Sequence, residues 1–197
     1  MRSAILVVIL TICLLTPNAA RAQGAIAGLE SAGPDPALKA KLDLFGQFVG
    51  DWVFDVTLLR PDGSRETGSG EWHFAWVLEG RAIQDVWIAK YQPTRTGDAE
   101  RGYGTTLRFY DPKTDAWRVT WISPLSDTII FFTARKVADE IVMDAKNDAG
   151  GMFRWIFSEI TPSSFHWRAV GSRDRGKTWL ISQEFSVHRV DAVHAKQ

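Results

Sequence analysis

The feature that most restricts this chain is a period of two. Trp52, Phe54, Val56 and Leu58 alternate with Val53, Asp55, Thr57 and Leu59. Successive side chains of an extended strand point to opposite faces, so a segment of this kind buries one face and shows the other. The pattern returns at Trp72, Phe74, Trp76 and Leu78, and at Trp117, Val119 and Trp121. A third strand follows Glu79-Gly80, with either Ile83, Asp85 and Trp87 or Ala82, Val86 and Ile88 inward. Further strands are expected at Tyr103–Phe109, Thr128–Arg135, Glu140–Ala145, Met152–Ser158, Ser164–Gly171 and Thr178–Val190. Turn signals such as Pro61-Asp62-Gly63-Ser64 and Asp111-Pro112-Lys113-Thr114-Asp115 separate the strands, and Tyr91 to Arg101 is the longest polar loop. Proline presets φ in these turns and glycine accepts positive φ. About ten strands joined as hairpins, with no long helical pattern between them, predict an all-β fold: a single antiparallel up-and-down barrel. An open sheet of that width would twist strongly and leave two edges exposed, which favours closure.

Two segments precede the strands. Leu38, Leu42, Phe45 and Val49 recur at helical spacing, which predicts a short helix over Ala37 to Phe48 after Pro34-Asp35-Pro36. Residues 1–22 have the form of a signal peptide, with Arg2 ahead of the apolar run Ala4 to Leu15 and Ala20-Arg21-Ala22 as the cleavage site. Twelve apolar residues rise only about 18 Å as a helix against a hydrocarbon core of roughly 30 Å, so this run is too short to span. Cys13 lacks the small residue before it that lipidation needs. The expected organisation is a signal peptide (1–22), a weakly patterned, flexible leader (23–36), a barrel domain (37–190) and a tail (191–197), placed in the periplasm or secreted.

Composition narrows the class further. Cys13 is the only cysteine and lies in the signal segment, so the remaining domain has neither disulfide nor thiol chemistry. The whole chain is charge-balanced, and loss of Arg2 and Arg21 leaves a small acidic excess. Nucleic acid is therefore not an expected partner. The arginines beside tryptophan (Trp117-Arg118, Arg154-Trp155, Trp167-Arg168) fall on the opposite face of the strand from their neighbours. Nine tryptophans and eleven phenylalanines then have to form a bulky core or line a cavity.

Gly50-Asp51-Trp52 opens the first strand directly after the helix, and Arg189 lies near the end of the last strand. In this the sequence resembles the calycins, the lipocalins and fatty-acid-binding-protein-like barrels. In these a first-strand Gly-x-Trp is covered by an arginine from the last strand. The layout is also similar to that of exported bacterial proteins with a lipocalin-like barrel, with Leu78-Glu79-Gly80-Arg81 and a late Lys177-Thr178-Trp179 hairpin. The resemblance spans roughly Phe45 to Arg189 and assigns Gly50, Trp52 and Arg189 structural roles. It departs from the lipocalins in lacking a Thr-Asp-Tyr turn, a disulfide and a C-terminal helix. The strand number fits the fatty-acid-binding-like branch better.

The remaining motifs divide into structural and chemical ones. Ser172-Arg173-Asp174-Arg175-Gly176-Lys177-Thr178-Trp179 matches the Asp-box pattern, a local turn in which Asp174 accepts backbone hydrogen bonds, Gly176 takes the left-handed position and Trp179 packs under the hairpin. No two histidines have metal-site spacing. By parity His73 and His166 face away from the neighbouring tryptophans. A haem-binding barrel needs one axial histidine, which leaves His166 or His188 as the candidate; otherwise no cofactor is expected. Asp55, Glu71, Asp85 and Asp127 lie within or beside apolar strands, and a carboxylate drawn inside would have a raised pKa. Asp85 and His73 are the acid–base candidates, without a constellation around them.

The expected function is binding of a small hydrophobic or aromatic molecule by an inward set of Trp72, Phe74, Trp76, Trp87, Phe109, Trp121, Trp155 and Trp167. Ligand pockets are concave, mostly apolar and sparing in polar groups, and ten strands leave more interior than eight. Two alternatives stand beside it. One is an isomerase-, cyclase- or hydratase-type enzyme on an apolar substrate in the same cavity; the other is an envelope interaction module with a filled core.

Overall fold

A computed structural model describes residues 24–91, 101–146 and 150–190. The signal segment, the middle of the 91–101 loop, His194 and the tail lie outside the described residues. Two short helices, α1 (Gly24–Leu29) and α2 (Lys39–Gly46), precede ten strands: β1 (Gly50–Leu59), β2 (Arg65–Val77), β3 (Ala82–Tyr91), β4 (Arg101–Asp111), β5 (Ala116–Ser123), β6 (Thr128–Val137), β7 (Glu140–Lys146), β8 (Met152–Ser158), β9 (Ser164–Ser172) and β10 (Leu180–Arg189). Each strand pairs antiparallel with its chain neighbours, and β1 closes on β10 to complete an up-and-down barrel. Closure removes the edges that an open sheet would present. No helix among the described residues is long and apolar enough to cross a membrane.

Alternation decides what faces in. On β1, Trp52, Phe54 and Val56 are buried, while Asp51, Val53 and Asp55 are exposed. Opposite them, Trp52 pairs with Trp72 of β2 and with Arg189 of β10. On β3 the inward set is Ile83, Asp85, Trp87 and Ala89, the first of the two parities open from sequence.

On β4 the structure corrects the sequence reading. Its inward positions are Gly102, Gly104, Thr106 and Arg108, and Phe109 points outward with 46% of its surface exposed. The reason is steric. A Cβ on Gly102 would stand 2.4 Å from the Trp87 ring, and one on Gly104 would stand 2.2 Å from the Trp121 ring. Indoles from both neighbouring strands need the space above the first half of β4, so its inward side is bare at Gly102 and Gly104, while Tyr103 and Phe109 face out.

Residues 24–36, though weakly patterned, are tied to the barrel. Glu30 bridges Val77, Ser31 N–H donates to the Trp76 carbonyl, and Asp35 N–H donates to the Gly80 carbonyl. Arg81 of the Leu-x-Gly-Arg turn pairs with Asp35 at 2.8 Å. The Asp-box turn forms as its sequence implies. Asp174 accepts from the N–H groups of Lys177 and Thr178 and from both the Ser172 and Thr178 hydroxyls. These bonds, the Thr178 hydroxyl foremost, lower its carboxyl pKa to about 2. Gly176 takes φ +86°. The Trp179 indole donates to the Gly176 carbonyl and lies 4.1 Å under the Arg154 guanidinium.

Candidate functional site

The interior has two storeys built from similar side chains. At one end α2 lies across the barrel and sends Leu42 and Phe45 inward, followed by Phe48; all three are fully buried. Phe48 packs on Phe74, Phe157 and Phe165 at 5.8, 5.0 and 4.8 Å between centroids, and Phe45 meets Trp117 edge-on at 4.9 Å. Trp52 closes the plug from the barrel wall. Its indole N–H donates to the Phe48 carbonyl at 2.7 Å, and Arg189 stacks 4.0 Å over its ring. The same guanidinium donates to the carbonyls of Gln47, Val49 and Pro162. Gly50, at φ +124°, leaves room for it: a Cβ there would stand 2.6 Å from Arg189 Nη1. The Gly-x-Trp and arginine signature thus fastens the helix to the barrel.

Inside the plug lies an ion pair that the sequence did not signal. Asp85 and Arg108 are fully buried, with Arg108 Nη2 2.5 Å from Asp85 Oδ2. Asp85 also accepts from the Thr106 N–H at 3.0 Å. The guanidinium lies 5.3 Å from both the Phe45 and Phe74 rings. Burial pushes the Asp85 carboxyl above the usual carboxylate range, opposed by the charge of Arg108 and more weakly by the Trp72 indole. A buried carboxylate on an apolar strand face requires a cation. Asp85 was therefore the clue to Arg108, which its apolar neighbours Leu107 and Phe109 on β4 concealed.

Beyond the plug the barrel opens into a cup. A circuit of rings runs round the wall, from Trp87 to Trp121 at 5.8 Å, Trp155 at 5.6 Å, Trp167 at 5.3 Å and Phe185 at 4.4 Å, and back to Trp87 at 6.1 Å. Trp72 is the floor. It touches Trp167 and Phe185 above at 6.3 and 6.1 Å, and Phe74, Phe157 and Phe165 below. The open-mouthed cavity measures about 550 Å³, and Tyr91, Arg101, Leu125 and Ser126 stand among its remaining lining residues. That volume lies within the range of roughly 300–1,000 Å³ usual for small-molecule sites.

Of the eight aromatic residues expected to meet a ligand, Trp72, Trp87, Trp121, Trp155 and Trp167 line the cup. Three do not. Phe74 is in the plug against Phe48. Trp76 lies over Gly46 of α2, where a Cβ would stand 2.6 Å from the indole. Phe109 faces an outer groove that it shares with Phe131. The first two follow parity but belong to the filled storey, a distinction that alternation cannot make. Phe185 is the wall residue that sequence reading missed, because its strand alternates weakly.

The acid–base candidates stand away from the cavity. Asp85 lies below the Trp72 floor. His73 is on the outer face, hydrogen-bonded to Asp51 at 2.7 Å and Glu71 at 3.3 Å. Partial burial works against its charge, yet the two carboxylates outweigh burial and raise its pKa. His188 is exposed on the outside, and His166 lies 3.7 Å from Glu184 on the outer face. Among the described residues, neither carboxylate nor histidine lines the cup.

No family model and no curated protein matches this chain. Among solved structures the barrel is similar to the S-type phycobiliprotein lyase of Guillardia theta, with a TM-score of 0.52, 11% sequence identity, and coverage of 78% of this chain and 97% of the lyase. It is likewise similar to Rv2717c of M. tuberculosis, with a TM-score of 0.50, 13% identity, and coverage of 80% and 99%. At such identities the likeness carries the fold, a calycin-type barrel of ten strands, and not an activity.

Proposed function

We propose that this protein is an exported carrier that holds a small hydrophobic or aromatic molecule in the tryptophan-lined cup. The observation that carries this is the circuit of five rings around a cavity of about 550 Å³, floored by Trp72 and closed below by the plug. Aromatic walls offer large apolar area at low conformational cost and orient flat ligands by stacking. Binding without chemistry is the economical reading of this cup, because Asp85 is walled off by Trp72 and His73 faces outward. An axial haem ligand would likewise have to come from outside the set His73, His166 and His188. Export rests on the Ala4 to Leu15 run and the Ala20-Arg21-Ala22 site, and N-terminal sequencing of the secreted product tests it: a chain beginning at Gln23 is expected.

Tryptophan fluorescence tests the cup itself. Titration with flat polycyclic compounds is expected to quench or shift the emission, and Trp121→Ala with Trp155→Ala should abolish the response while the fold survives. A panel of terpenoids, polycyclic aromatics and fatty acids that leaves the emission unchanged throughout would overturn the carrier reading. Native mass spectrometry of protein taken from its own envelope is expected to show a retained mass of a few hundred daltons, on the order of what such a pocket encloses.

A further inference from the structure

More than half of the polar side chains in the cup can donate but not accept, while Tyr91, Ser123, Ser126 and Gln183 can do both. Five indoles and Arg101 belong to its lining, and none of these side chains can accept a hydrogen bond. The hydroxyls and the amide are largely engaged with protein: Ser123 donates to the Tyr103 carbonyl, Ser126 to Ser123, and Gln183 to Tyr91. Trp72, Trp87 and Trp167 each hold a buried indole nitrogen without a hydrogen-bond partner. Two tryptophans elsewhere do have partners, Trp52 on Phe48 and Trp179 on Gly176. Buried donors are normally paired; apart from the Arg108 guanidinium and the Thr106 hydroxyl in the plug, the unpaired buried donors among the described residues are these three, on residues that line one cavity. Trp72 is partly accounted for, since its N–H leans toward the Asp85 carboxylate and contributes to that group's pKa. Trp87 and Trp167 are not. Phe185 stacks on both of them, at 6.1 and 4.4 Å, so they flank one stretch of wall.

We propose that the ligand is a planar conjugated ring compound bearing an acceptor oxygen, a carbonyl or a carboxylate, which the Trp87 and Trp167 indoles receive on the wall and Arg101 receives at the mouth. This rests on the cup being a ligand site and adds the chemistry of what it holds. Both nitrogens are shut off from solvent, so an oxygen reaches them only when the surrounding rings shift. That shift exchanges unpaired donors for paired ones. A hydrocarbon of the same shape stacks equally well but leaves both donors unpaired.

Four ring compounds of nearly one shape separate these cases by calorimetry or fluorescence titration of the full mature chain: fluorene with no polar group, carbazole with a donor, 9-fluorenone with a neutral acceptor and fluorene-2-carboxylate with an anionic one. At least one oxygen-bearing probe is expected to bind about tenfold more tightly than fluorene and carbazole, the effect of one net hydrogen bond. If 9-fluorenone is the preferred probe, Trp87→Phe or Trp167→Phe should remove most of its advantage, whereas Trp121→Phe, which keeps both donors, should not. If the carboxylate is preferred, Arg101→Gln should remove its advantage over fluorene, and the advantage should shrink with added salt. Equal affinity for all four, or a preference for carbazole, overturns the acceptor assignment and leaves the carrier reading standing. Failure of every probe to bind overturns both. The wild-type series decides by itself should a tryptophan variant not fold.

Discussion

The two ends of this barrel use the same kinds of side chain for opposite purposes. In the plug, Trp52 has its N–H on a backbone carbonyl and an arginine stacked on its face. In the cup, Trp87 and Trp167 have unpaired N–H groups and their rings border a cavity. A single element makes the difference. At the plug end α2 brings Leu42 and Phe45, and Phe48 just after it, into the interior. At the cup end, among the described residues, the connection between β5 and β6 is the short turn Pro124–Ser126 and no helix enters the interior. A ring of aromatic residues becomes core when something large enough fills its centre, and a binding surface when nothing does. Stability and recognition are thereby separated along the barrel axis.

That separation can be broken most forcefully at the ion pair. Arg108→Leu leaves the Asp85 carboxylate buried without its cation and should cost about 3–5 kcal/mol in urea unfolding. The double variant Asp85→Leu with Arg108→Leu should recover most of that loss, because an apolar pair of similar volume suits the plug. A double variant no more stable than the single one would show that the pair organises the plug in some further way.

Next in size is Phe48→Ala, expected to cost about 3 kcal/mol, since the side chain is fully enclosed by other rings. Trp155→Ala, at the wall of the cup, should cost well under half of that, on the order of 1 kcal/mol, because its ring is only partly buried and borders the cavity. Equal losses at the two sites would erase the distinction between core and container. Gly104→Val sharpens it from the other direction. The added side chain enters the space of the Trp121 ring, with an expected cost of about 1–3 kcal/mol for overpacking, and probe binding should fall more than stability does.

The smallest effect is a pH dependence outside both storeys. Asp174 has its pKa lowered from 3.8 to about 2. Its contribution is therefore fully present above pH 3.8 and is lost as the pH falls through about 2. Asp85 runs the other way: with its pKa raised, its contribution is present below 3.8 and is lost as the pH rises through its folded value. Asp174→Asn should flatten the loss of melting temperature between about pH 4 and 2, leaving plug and cup as they are. An unchanged acid limb would place the acid-sensitive group elsewhere.

Much of the barrel was legible because strand physics is local. Alternation placed Trp52, Phe54 and Trp72 inward, and the Asp-box residues drew their own turn. Gly50 and Arg189, more than a hundred positions apart, were legible only through resemblance to calycins, and their contact joins α2 to both ends of the sheet. The failures fall where two strands compete for one space. On β4, Tyr103, Leu107 and Phe109 look like the core face until Gly102 and Gly104 are seen as seats for the indoles of Trp87 and Trp121.

By itself, then, the sequence determined ten antiparallel strands, their turns and the inward face of most of them, because a two-residue period and turn chemistry act between near neighbours in the chain. Only the tertiary structure decided which aromatic rings are packed solid and which surround a cavity, why Arg108 lies inside and Phe109 outside, and which indole donors go unpaired. Those outcomes depend on what stands across the barrel from each side chain, and no pattern along one strand carries that information.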